Sequence, residues 1–335
     1  MKSSPAQDFF GRVDRREVIG AAALSSLATV AVQVASPAVA GAAGTQTVPL
    51  WPGVPPGGEG LNLSVHVEER SPDPQKFHER ALSGIGRPSF RVIPATSPTG
   101  SALLIIPGGG YRELTIDTAL AAAKRFAQAG VTGFVLYYRL PHEGWRDAAN
   151  VPLQDAMRAM RLVRANPTRY GIDAARLGVL GFSAGGHVAA MLSLRSDTEP
   201  YAAVDAADRE NARPDLAALL YPVITMLPPY AHEASREMLL GSNPTLAERA
   251  AWSCERLVRR GAPPTFVAAA ADDPDVPVEN TLEMFAALRR AAVASEMHIF
   301  ERGGHGFALG NPGEPLSAWP GLLLNWVHSQ GAIRP

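Results

Sequence analysis

From residue 89 onward the apolar positions follow two alternating rhythms. Short runs rich in aliphatic and aromatic residues read as strands: Ser89–Ile93, Ala102–Ile106, and residues 133–137, 177–180, 216–221, 265–269 and 296–300. Between them, residues 118–129, 151–166, 184–193, 278–291 and 315–329 are richer in Ala, Leu and Arg, as amphipathic helices are. Apolar strands separated by helical segments predict an α/β fold, a mostly parallel twisted sheet flanked by helices on both faces. Residues 225–260 break the rhythm with a polar, proline-containing helical stretch between two strands, which reads as a small cap-like insertion. No internal repeat or low-complexity linker divides the rest, so residues 41–335 read as one domain.

The N-terminus has a different pattern. Arg15 and Arg16 stand ahead of an uncharged run over residues 19–34, and Ala38-Val39-Ala40 has the small-x-small form that a signal peptidase cuts. The run is rich in Ala, Ser and Thr, too short and too weakly apolar to span a bilayer. Residues 1–40 are therefore expected to be an export signal of the twin-arginine type, with the twin-arginine translocase as a transient partner and no stable membrane anchor. The mature protein is expected in the periplasm or outside the cell.

Composition narrows the function classes. The 335 residues carry 31 Lys+Arg against 32 Asp+Glu, a net charge of −1, with 46% hydrophobic and 19% charged residues. That apolar fraction fills a core, which excludes a disordered chain. A neutral balance supplies no basic face for phosphate backbones and argues against a nucleic-acid partner. The single cysteine, Cys254, excludes an intramolecular disulfide and a thiolate zinc site.

Candidate chemistry lies where expected strands end. Leu177-Gly178-Val179-Leu180 runs into Gly181-Phe182-Ser183-Ala184-Gly185, a G-x-S-x-G turn followed by the small-residue stretch 187–194. A hydroxyl pushed out of a tight strand-to-helix turn needs a strained backbone at serine, and glycines on both sides let strand and helix pass without Cβ clashes. Ser183 is the candidate nucleophile. After Ile106 comes Pro107-Gly108-Gly109-Gly110-Tyr111, whose bare amides suit an oxyanion; Gly109 and Gly110 are the expected donors, with the Ala184 N–H from the turn. Among eight histidines, His305 stands apart, set between glycines on the loop after a late strand, and is the candidate base; His187 is expected to pack behind the turn. The acid belongs on the loop after residues 265–271, in the chain order Ser, Asp, His. There the D-x-x-V-P spacing selects Asp273, with Asp272 as runner-up and Asp275 as a helix-start residue.

Taken with Tyr137-Tyr138-Arg139-Leu140, Tyr170-Gly171-Ile172-Asp173 and Gly303-Gly304-His305-Gly306-Phe307, these motifs resemble the α/β-hydrolase fold. The resemblance extends from about residue 50 to 327. It is strongest to the bacterial acetylxylan-esterase-like branch related to bifunctional deacetylase/feruloyl esterases, with Pro107 where that loop often carries histidine. It implies cofactor-free serine ester hydrolysis on a small-molecule or carbohydrate ester, for which Tyr111 and Trp145 would offer ring faces to a sugar. Two other readings stand beside it: a serine peptidase of the prolyl-oligopeptidase type, and a non-catalytic ligand-binding homologue.

Overall fold

Eight strands form the main sheet of the computed structural model: β1 (Thr47–Pro49), β2 (Ser89–Ile93), β3 (Ala102–Ile106), β4 (Thr132–Tyr137), β5 (Leu177–Phe182), β6 (Ala217–Leu220), β7 (Thr265–Ala270) and β8 (Ser295–Phe300). They lie in the order β1-β2-β4-β3-β5-β6-β7-β8. β1 and β2 pair antiparallel to their neighbours, and every pairing from β4 to β8 is parallel. The described residues are 46–330, so the export segment expected over residues 1–40 lies outside them. Every strand and helix that the apolar pattern predicts is present, with ends moved by a few residues.

The burial of each strand follows from its place in the sheet. All residues of β3, β5, β6 and β7 are buried, because helices cover both faces of the centre, whereas β8 at the edge is half-buried. α1 (Ile116–Ala127) turns Ile116, Ala119, Leu120, Ala123 and Phe126 inward at helical spacing and packs on β4. Asp117 in its first turn and Lys124 and Arg125 in its last complement the helix dipole. The last expected helix begins with a 3₁₀ turn over Pro315–Ala318. The α-helix itself is Trp319–Ser329, with Pro320 in its first turn, where a missing N–H costs nothing.

A small antiparallel sheet of His66–Glu69, Arg80–Ser83 and Leu114–Thr115 was not expected from the pattern. Its first strand is exposed at every residue and has no apolar face to betray it. The other two strands bury Ala81, Leu82 and Leu114, and charge pairs flank them. Asp117 accepts from the Arg80 backbone N–H at 2.8 Å and from its Nε at 2.9 Å, and Glu113 accepts from Arg70 at 2.6 Å.

Tyr137-Tyr138-Arg139-Leu140 ends β4 and begins the loop behind the site. Arg139 and Asp155 of α2 (Val151–Arg164) are both fully buried and form an ion pair at 2.9 Å. Asp155 also accepts from the Arg139 backbone N–H at 2.9 Å and from Trp51 Nε1 at 2.8 Å. Arg139 donates further to Pro56 O at 2.7 Å and Gln154 Oε1 at 2.9 Å. Trp51 and Trp145 lie against the guanidinium at 5.5 and 4.9 Å. The polar network ties residues 51–56 to the core.

Candidate active site

Parallel strands present their C-terminal ends along one edge, and four of these ends carry the expected residues. Ser183 follows β5, Gly108–Gly110 follow β3, Asp273 follows β7 and His305 follows β8. Ser183 takes φ 53° and ψ −120°, a strained conformation for a non-glycine residue, at the N-cap of α3 (Ala184–Arg195). The strain is held from both sides: Ser183 N–H donates to Leu220 O at 3.0 Å, and Ser183 O accepts from Val223 N–H at 3.1 Å and Gly186 N–H at 2.9 Å. A Cβ on Gly181 would sit 2.2 Å from Gly185 O, and one on Gly185 would sit 2.3 Å from Pro107 O. The glycine pattern thus records close backbone approach on both sides of the turn.

Ser183 Oγ lies 2.8 Å from His305 Nε2, and His305 Nδ1 lies 2.8 Å from Asp273 Oδ2. Burial pushes the Asp273 carboxyl up, but the His305 hydrogen bond and the backbone N–H groups of Val276 and Asp275 outweigh it, so the group stays below its ordinary range. Both N–H groups reach Oδ1 at 2.9 Å. An ionised carboxylate only accepts, so Nδ1 carries the proton and Nε2 presents its lone pair to the serine hydroxyl. Asp272 points elsewhere, its Oδ1 accepting from Gly304 N–H at 2.8 Å, and Asp275 is exposed.

The donor loop crosses tightly over the turn. A Cβ on Gly108 would stand 3.1 Å from Ser183 Cβ, and Gly109 combines φ 119° with space so tight that a Cβ would meet Glu113 O at 2.2 Å. Tyr138 donates its phenolic O–H to Pro107 O at 3.1 Å, and Thr115 N–H donates to Gly108 O at 3.1 Å. Among the described residues, neither Gly109 N–H nor Gly110 N–H donates to a protein acceptor. Ala184, the first residue of α3, has no carbonyl one turn back to bond.

The ring faces expected of Tyr111 and Trp145 are not offered to a ligand. Tyr111 is only 1% exposed, and its O–H lies 2.6 Å from His187 Nδ1; Trp145 is 5% exposed and packs on Arg139. Both rings are consumed by packing. His187 is fully buried, and burial pulls its pKa down to about 4 despite the hydrogen bond to Trp252 O. That carbonyl, 2.7 Å from Nε2, accepts only, so Nε2 carries the proton and Nδ1 receives the tyrosine O–H.

One neighbour, Tyr221, gave no sequence signal. Tyr221 follows β6 with φ 38° and lays its ring edge-on to His305, centroids 5.1 Å apart, and against Phe307 at 4.4 Å. Tyr138 braces Pro107 across the sheet. The insertion after β6 contains α4 (Glu233–Leu240) and α5 (Leu246–Ala251), and its Trp252 carbonyl receives His187.

The sheet order, the strained serine turn and the loops gathered at one sheet edge are those of the α/β-hydrolase esterases. Within that class the chain belongs to the BD-FAE family, whose model matches residues 93–288. It is 37% identical over 219 residues to endo-1,4-beta-xylanase B of Butyrivibrio fibrisolvens, aligning 65% of this chain with 34% of that protein. It is 32% identical over 236 residues to the acetylxylan esterase of Xylanibacter ruminicola, aligning 68% of this chain with 45% of that protein. The chain thus spans less than half the length of either relative. Its fold is similar to that of an acetyl ester-xyloside bifunctional hydrolase from Caldicellulosiruptor lactoaceticus, with TM-score 0.69 and 32% identity over 86% of this chain and 97% of that one.

Proposed function

We propose that this protein is an exported serine carboxylic ester hydrolase that removes a small acyl group, above all acetyl, from a carbohydrate. One observation carries the reading: a continuous hydrogen-bonded line from Ser183 Oγ through the His305 ring to Asp273, beside amides that have no acceptor among the described residues. The acetylxylan esterase relative and the acetyl ester-xyloside hydrolase support the substrate class.

In this mechanism His305 Nε2 takes the Ser183 proton as Oγ attacks the ester carbonyl carbon. The carbonyl oxygen gains negative charge and accepts hydrogen bonds from Gly109, Gly110 and Ala184 N–H, each worth about 3–4 kcal/mol in such sites. The tetrahedral intermediate collapses, the C–O bond to the sugar breaks, and His305 returns its proton to the leaving alkoxide, giving an alcohol and an acyl-serine. Water, deprotonated by His305, attacks the acyl carbon; acetate leaves and Ser183 regains its proton. Asp273 stays ionised throughout and steadies the imidazolium.

Export by the twin-arginine route rests on the Arg15-Arg16 pair, the uncharged run after it and Ala38-Val39-Ala40. Secreted material beginning at Gly41, and retention of the precursor when both arginines become lysine, test it.

The activity test measures acetate release from acetylated xylan, hydrolysis of p-nitrophenyl acetate and cleavage of peptide anilides, each with Ser183→Ala as control. Turnover of both esters that disappears in the variant is expected. Preference for the anilides, or no turnover of any substrate, overturns the reading.

A further inference from the structure

Not every polar group at the sheet edge belongs to the triad or the donor loop. His232 is the N-cap of α4, and its Nδ1 lies 2.7 Å from Ser235 Oγ. Ser235 is fully buried, and its Oγ is 3.8 Å from where a Cβ on Gly110 would stand, so the pair adjoins the donor loop. His305, Asp275, Asp273 and Glu233 lie within electrostatic range of His232. Burial holds the imidazole below its ordinary range, so the ring is neutral near pH 7. One ring nitrogen is anchored. Among the described residues the other, Nε2, has no hydrogen-bond partner, and the ring is only half-buried.

The chemistry of the ester decides which half of the substrate such a nitrogen serves. An acetyl group ends in a methyl, which gains nothing from a free imidazole nitrogen. The alcohol departs from the side of His305, which must reprotonate it, and a sugar carries hydroxyls next to the ester oxygen. We infer that His232 is a specificity residue for the alcohol half of the ester, its Nε2 hydrogen-bonding a sugar hydroxyl adjacent to the acylated oxygen while Ser235 holds the ring in place. The inference rests on the ester-hydrolase reading and adds to it a requirement for a vicinal hydroxyl in the leaving group.

The experiment compares kcat/KM on a mono-acetylated methyl β-xyloside with kcat/KM on p-nitrophenyl acetate, whose leaving group has no such hydroxyl. His232→Phe keeps the bulk of a ring and removes the nitrogens. It is expected to lower the xyloside-to-aryl ratio about three- to tenfold, mainly through KM, the loss of one uncharged hydrogen bond. His232→Gln restores part of the ratio, and Ser235→Ala shifts it in the same direction as His232→Phe. Thermal melting of each variant checks that it is folded. A ratio that is unchanged, or equal losses on both substrates, overturns the role of His232 while wild-type turnover leaves the ester-hydrolase reading intact. A wild type inert on both substrates overturns both.

Discussion

Asp272 and Asp273, adjacent in sequence, grip one loop at two points: Asp273 Oδ2 holds His305 Nδ1, and Asp272 Oδ1 holds the Gly304 N–H one residue earlier. Only the first touches the imidazole. Asp273→Asn replaces an acceptor-only group with an amide and loses control of the tautomer, so kcat is expected to fall by about four orders of magnitude. Asp272→Asn keeps a carbonyl oxygen for Gly304 and is expected to cost far less. Steady-state kinetics of the two variants on p-nitrophenyl acetate check the ranking, and the reverse order contradicts the assignment.

The Tyr111 O–H is the only hydrogen-bond donor shown for His187 Nδ1 among the described residues. Tyr111→Phe leaves that buried nitrogen unpaired and is expected to cost about 1–3 kcal/mol of stability. Because Tyr111 follows Gly110 directly, kcat should fall more than KM rises. Urea denaturation and steady-state kinetics on one preparation test both effects; unchanged values for both contradict the coupling.

Asp155 is the hub for Arg139 and Trp51. Asp155→Ala strands a fully buried guanidinium, so about 3–5 kcal/mol of stability should be lost. An unfolding free energy from denaturant titration that falls by less than a third of that amount would show that solvent reaches Arg139.

Glu255, in the insertion, is raised from 4.5 to about 7 by burial and, further, by the charge of Glu283, and its Oε2 has no hydrogen-bond partner among the described residues. Above about pH 4.5 the folded protein keeps a proton that the unfolded chain has released. This group's contribution therefore declines as pH rises from about 4.5 to about 7 and levels off beyond. Glu255→Gln removes the titration, so the variant should melt higher than wild type at pH 8 and show no such advantage at pH 4. Parallel scans at the two values decide.

Much of this arrangement was legible in the sequence because its physical causes are local. Apolar runs mark β3, β5 and β7, and helical spacing marks α1. Gly181 and Gly185 mark the turn, since each records a contact that no side chain fits. What stayed hidden depends on where distant segments meet. Tyr111 and Trp145 look like ring faces along the chain, but His187 of α3 and Arg139 claim them. His66–Glu69 pairs as a strand with all four residues exposed, so no alternation reveals it. Tyr221 reaches His305 across the sheet edge, a contact that no spacing encodes.

The approach of Gly185 to the carbonyls of Ile106 and Pro107 has a practical corollary for anyone reshaping this protein. With no spare room between the two main chains, a new side chain at Gly108 or an altered bend at residues 107–108 displaces the neighbouring turn as well. A library built there to retune charge stabilisation will also sample positions of the attacking oxygen, and its winners must be read as compensated pairs.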